Sequence, residues 1–160
     1  GNQLIIFNIK KLIETCDLLN VSIAFTEQNP SKLGKTLETI LQSSKYPVFE
    51  KMEFSCTKNK SFIDYINNYN FKNIIICGIE SHICVLQSSI ELLEKGINIL
   101  IPKDAIGSRN EIDNDTAFTR LILSGAIAST TESLICELCK TSSRKEFRDV
   151  SKILKKSFSN

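Results

Sequence analysis

Apolar and polar positions come in blocks along this chain, and the period changes from block to block. Ile5, Ile9, Leu12, Ile13, Cys16 and Leu19 recur at spacings of 3 and 4, which predicts an amphipathic helix. Residues 21–25 are a short β-rich run that ends in the polar loop Thr26, Glu27, Gln28, Asn29, Pro30. Leu33, Leu37, Ile40 and Leu41 return to helical spacing and predict a helix over 33–42. Pro47, Val48 and Phe49 predict a brief strand, and Phe62, Ile63, Ile66 and Tyr69 a further helix.

Residues 73–77 are a continuous apolar run, too short for a helix and stopped by Gly78. Such a run suits a strand covered on both faces of a parallel sheet. Residues 84–95 are helical in pattern, with Gly96 where a C-cap would stand. A strand over 97–101 is closed by Pro102. A helix over 113–124, a small strand over 126–128 and a helix over 131–140 follow. Ser129 or Thr130 can cap that last helix, and Glu132 lies in its first turn. A final helix over 144–156 puts Phe147, Val150 and Leu154 on one face.

Strand and helix alternate throughout, which predicts an α/β fold with a mostly parallel sheet and right-handed crossovers. The expected architecture is three-layered and doubly wound, with helices on both faces. No repeat or linker interrupts it, so residues 1–160 read as a single domain. Ligands in such sheets bind at the carboxyl ends of the strands. That singles out residues 26–30, 50–57, 78–85, 102–109 and 128–131.

Composition narrows the class. With 42% hydrophobic and 24% charged residues the chain is globular rather than disordered or collagenous. No apolar stretch approaches the roughly 18 residues of a membrane span. A formal net charge of +2 gives no general case for a nucleic-acid partner. The opening residues do not read as a signal peptide, so the expected compartment is the cytoplasm, with all six cysteines as free thiols. The lone histidine, His82, excludes zinc patterns that need two, and no metal or other cofactor is expected.

Candidate chemistry concentrates in residues 78–85, between a buried strand and a helix. This segment delivers Cys84 to a helix start, where unpaired N–H groups favour thiolate and can hold an oxyanion. The plainer reading is a small buried apolar residue. His82 can serve as an acid–base group or a structural one. Cys136 and Cys139 sit in an apolar helical run, which favours core packing over a redox pair. Lys145, Arg148, Lys152 and Lys155 form a basic stripe, by default a solvated helix face. It is the one feature that would suit RNA, and no stacking aromatics accompany it.

The segment Gly78-Ile79-Glu80-Ser81-His82-Ile83-Cys84-Val85 resembles the nucleophile turn of the isochorismatase-like cysteine hydrolases. Other matches follow in register with the isochorismatase-domain-containing branch: residues 26–30 with Leu33-Gly34, Lys51 with Phe54-Ser55, Asp104-Ala105, Ser108-Arg109, and residues 124–132. The resemblance runs from about residue 5 to 156. It implies Cys84 as nucleophile and Lys51 as the cation beside it. It implies a non-proline cis peptide at Ile79–Glu80 and an oxyanion hole from the Glu80 and Cys84 N–H groups. Gln28, Phe54 and His82 would line the substrate pocket. The implied activity is hydrolysis of a small amide or related carbonyl through a thioester, in a homo-oligomer. A non-catalytic scaffold of the same fold, or the ribonuclease label carried by some of the branch, are the alternatives.

The sequence departs from that pattern in three places. Residue 5 aligns with the family's first helix, so the first strand and its triad aspartate have no counterpart in these 160 residues. A rival alignment makes residues 4–7 that strand, with Asn8 in the aspartate's place. On the helical alignment the strands over 21–25 and 73–77 should keep unpaired, facing edges, filled by an N-terminal strand or a segment outside this numbering. The Asp-x-His metal motif of nicotinamidases is replaced by Glu27-Gln28-Asn29, against a metal-dependent nicotinamidase. The cysteine itself leans away from vinyl-ether hydrolysis and toward acyl chemistry.

Overall fold

The computed structural model describes residues 2–41 and 46–158. The chain opens with helix α1 (Asn2–Leu18), followed by strand β1 (Phe25–Gln28) and a single helical turn, α2 (Pro30–Leu33). Strand β2 (Val48–Lys51), helix α3 (Lys60–Tyr69), strands β3 (Asn73–Ile75) and β4 (Gly78–Ile79), and helix α4 (Leu86–Glu94) come next. The rest comprises β5 (Asn98–Pro102), β6 (Ile106–Gly107), α5 (Glu111–Leu123), β7 (Ile127–Ser129), α6 (Thr131–Cys139) and α7 (Phe147–Leu154). Every ladder is parallel, in the groups β1-β2, β3-β5-β7 and β4-β6.

Alternation along the strands divides the interior into two cores, one on each face. Ile75, Cys77 and Leu100 turn toward α1, α6 and α7, packing with Leu12, Ile135, Val150 and Ile153. Ile74, Ile76, Ile99 and Ile101 turn toward α3, α4 and α5, packing with Phe62, Leu92 and Leu121. Successive side chains on a strand point to opposite faces, so a run of consecutive isoleucines serves both cores at once. This is the three-layer α/β arrangement that the alternation of elements predicts.

Residues 4–7 lie within α1, which sets aside the rival strand alignment. Asn8 is buried on that helix and donates from Nδ2 to the Asp104 carbonyl at 2.8 Å. Asp104 in turn accepts from the Thr131 N–H at 2.8 Å and its hydroxyl at 3.0 Å, closing the start of α6. Thr130 caps the same helix, accepting from the Ser133 N–H at 3.3 Å.

Some expected elements move. The strand expected over 21–25 enters its ladder only at Phe25, which stands opposite Val48, the first residue of β2, with its N–H on the Pro47 carbonyl. The helix expected over 33–42 reduces to α2 and a turn near Ile40; residue 42 lies outside the described residues. Pro30 starts α2 and Gly34, at φ 85°, stops it after one turn. The Thr36 N–H then goes to Glu27 Oε1 at 2.7 Å, and Leu33 and Leu37 face outward. The helix expected over 144–156 starts later, at Phe147. Cys139 is buried as expected of a core residue, whereas Cys136 is exposed.

No ladder joins β1 to β3 among the described residues: β1 pairs with β2 alone, and β3 pairs with β5 alone. Each therefore keeps one unpaired edge. Across β1, Val21, Ile23 and Phe25 are partly covered by the α1 core, while Ser22, Ala24 and Thr26 are exposed. No described helix is long and apolar enough to cross a membrane.

Candidate active site

The nucleophile turn is built where β4 gives way to α4. The Ile79–Glu80 peptide is cis. Residues 81–85 then form a wide turn in which the Val85 N–H reaches back five residues to the Glu80 carbonyl at 3.3 Å. The Ile83 N–H donates to the same carbonyl at 3.2 Å. Cys84 emerges from this turn half-buried, one residue before the helix settles at Val85 and Leu86.

Lys51, at the end of β2, is 5% exposed. Its ammonium donates to Gln28 Oε1 at 2.6 Å, the Phe54 carbonyl at 2.9 Å and the Glu53 carbonyl at 3.2 Å, and stands 3.5 Å from Cys84 Sγ. Gln28 comes from the neighbouring strand, in register with Lys51. It bonds Met52 through Nε2 at 2.6 Å, and its Oε1 lies 3.8 Å from Cys84 Sγ. The acceptors that bond this buried cation are neutral, and no carboxylate pairs with it among the described residues.

Cys56 is the instructive contrast. It too feels the Lys51 charge, but it is 5% exposed and burial pushes its thiol up from the ordinary value. Burial likewise raises Cys16 to about 11 and Cys77 to about 12.

The other face of the turn is pinned to the β6–α5 connection. Ser81, fully buried, hydrogen-bonds Ser108 Oγ and Asn114 Oδ1. His82 Nδ1 meets Ser108 Oγ at 2.8 Å and lies 3.5 Å from Glu80 Oε2, while Arg109 Nε donates to Glu80 Oε1 at 2.7 Å. So the structure brings Gln28, Lys51 and Cys84 together, directs His82 toward Ser108, and leaves the Phe54 ring exposed while its carbonyl holds the lysine. A cavity of about 220 Å³ beside His82 is lined by Leu86, Asp113, Thr116, Ala117 and Arg120 and does not include Cys84. Sequence reading named Ser55 only as part of the lysine segment and missed Ser88 and Glu91; the three tie the Lys51 loop to α4. Their only signal was the spacing of Ser88 and Glu91 at four and seven residues beyond Cys84.

A doubly wound α/β domain with a cysteine turn and a buried lysine at the strand ends is one class of hydrolase scaffold. Comparison with known proteins makes the class specific. The isochorismatase domain model matches residues 1–133. The chain is 38% identical to isochorismatase family protein 1B of Dictyostelium discoideum over 91% of its own length and 73% of that protein's. The solved structure of the MAR1 ribonuclease from Caenorhabditis elegans superimposes with a TM-score of 0.91 at 34% identity, covering 98% of this chain and 81% of that one. The Escherichia coli YcaC product, described as an octameric hydrolase of unknown specificity, shares the fold: TM-score 0.88, 21% identity, 96% of this chain and 76% of that one. The chain belongs to the isochorismatase family of hydrolases.

Proposed function

We propose that the protein is a cysteine-dependent hydrolase of a small amide or related carbonyl compound, working through a thioester. The observation that carries this reading is the 3.5 Å approach of the Lys51 ammonium to Cys84 Sγ, with no carboxylate paired to that ammonium among the described residues. The Cys84 thiolate attacks the carbonyl carbon, and the oxyanion rests on the Glu80 and Cys84 N–H groups. Collapse of the tetrahedral intermediate breaks the C–N bond, the leaving amine taking a proton from Lys51. Water then attacks the thioester and returns a proton to Lys51 as the acid leaves and the thiolate is restored. The test is trapping by a small electrophile at neutral pH, read residue by residue by mass spectrometry. Cys84 should react faster than both the exposed Cys136 and the buried Cys56. Labelling no faster than at those two would remove the nucleophile assignment.

One observation bears on assembly. Met52, Phe54 and Ile79, next to the site in sequence or structure, are 67%, 52% and 60% exposed, an apolar rim suited to a second copy of the chain. We therefore expect a homo-oligomer, checked by sedimentation. The alternative reading, a non-catalytic scaffold of the same fold, predicts unselective labelling of Cys84. RNA affinity falling steeply with salt would support a nuclease instead. Pairing of Lys152 with Asp149 and of Lys145 with Glu146 already answers part of the basic stripe.

A further inference from the structure

Helix α4 does more than begin next to Cys84. Cys84, Ser88 and Glu91 are spaced at i, i+4 and i+7 and so share one face, and that face is turned to the loop following Lys51. Ser88 Oγ accepts from the Cys56 N–H at 2.9 Å, with both residues 5% exposed. One turn further on, the Glu91 carboxylate accepts from Ser55 Oγ at 3.0 Å and from the Thr57 hydroxyl, and pairs with Lys58 at 3.1 Å. Ser55 is buried and also accepts from the Thr57 N–H, capping the short turn Cys56–Lys58. The two residues just before Ser55 are those whose carbonyls hold the Lys51 ammonium.

The loop is thus fixed at one end by β2 and at the other by the helix that carries the nucleophile. A lysine side chain has four rotatable carbons and no preferred place of its own. Here its head is seated by carbonyls 53 and 54, and those carbonyls are seated by α4. We propose that Ser88 and Glu91 are positioning residues, which set the Lys51 ammonium against Cys84 by clamping residues 55–58 to the nucleophile helix. The hydrogen bonds of Thr57 foremost, with Lys58 and Ser55, also hold the Glu91 carboxyl below its ordinary range, so the clamp is in its charged form at neutral pH.

This inference rests on the reading of Lys51 and Cys84 as a working pair, and the experiment separates the two. The rate of Cys84 alkylation by iodoacetamide at pH 7 is measured in the full chain, in Glu91→Ala, Glu91→Gln, Ser88→Ala and Lys51→Met, and in the Glu91→Ala/Lys51→Met double variant. Misplacement of a catalytic group by about an ångström costs on the order of a hundredfold; partial release of a loop should cost about tenfold in Glu91→Ala. Glu91→Gln keeps an acceptor for the two hydroxyls and should recover part of the rate, and it covers the case in which the alanine variant fails to fold. In the Lys51→Met background, Glu91→Ala should change nothing further. An equal loss in both backgrounds, or no loss in either Glu91 variant, overturns the positioning role while leaving the pair intact. A Lys51→Met rate equal to that of the unsubstituted chain overturns the pair itself, and the clamp with it.

Discussion

Lys51 Nζ lies 3.5 Å from Cys84 Sγ although the two residues are 33 positions apart. Two separate strand ends of the parallel sheet, β2 and β4, have to deliver them to the same place. Lys51→Met withdraws the ammonium that stands against this sulfur and should slow alkylation of Cys84 at pH 7 by about tenfold. Peptide mapping of the labelled protein checks this, and Cys136 labelling should be unaffected because that thiol is exposed on α6.

Asp104 ties two helices together. It accepts from both the N–H and the hydroxyl of Thr131, and its own carbonyl accepts from Asn8, so α1 and α6 are braced through one side chain and one peptide. Removing an acceptor at a helix start costs roughly 1–2 kcal/mol, and leaving a buried donor unpaired adds to it. Asp104→Ala should lower unfolding free energy by about 2 kcal/mol in urea titration, and Asp104→Asn by less, since an amide oxygen can still accept.

Periodicity made α1, α3 and α4 legible, because each lays an apolar stripe on a core that the strands complete. It misled over 33–42, where Leu33 and Leu37 keep helical spacing but project into solvent and a glycine ends the turn. Only a tertiary contact, the Thr36 N–H to Glu27, shows why the chain bends there. The site divides the same way. Cys84 was legible because a glycine-bounded strand running into a helix marks the carboxyl edge of a parallel sheet. Lys51 came from the family resemblance, since one lysine among twenty Lys and Arg carries no pattern. Glu91 was not legible, nor was the part that Ser55 plays, because both depend on how the loop folds back onto α4.

Gly107 is where β6 passes α1. A Cβ placed on it would collide with Ile5 Cδ1, the far end of a flexible side chain in the first core. That end can swing aside, so the cost should stay at or below the low end of the roughly 1–3 kcal/mol typical of overpacking. Gly107→Ala should lower the thermal midpoint, and Ile5→Ala, itself destabilising, should make the added methyl nearly neutral. Simple additivity of the two substitutions in a double-mutant cycle would show that the contact is not what the glycine preserves.

Alkali should find the buried thiols. Cys16 is raised to about 11, chiefly by burial and then by Asp17, and Cys77 to about 12 by burial and the neighbouring Cys16. A folded-state value above the unfolded one means that the native protein holds its proton while the unfolded chain releases it. Stability is therefore intact below about pH 9 and falls as pH rises from there toward 11. Two units on Cys16, 8% exposed, correspond to roughly 3 kcal/mol at most. Part of Cys77 reaches solvent, so its contribution should be smaller than its shift suggests. Unfolding free energy measured from pH 8 to 11 should decline with a slope that flattens in Cys16→Ala, even though that variant starts lower through loss of packing. An unchanged slope in Cys16→Ala would place the alkaline loss on other groups.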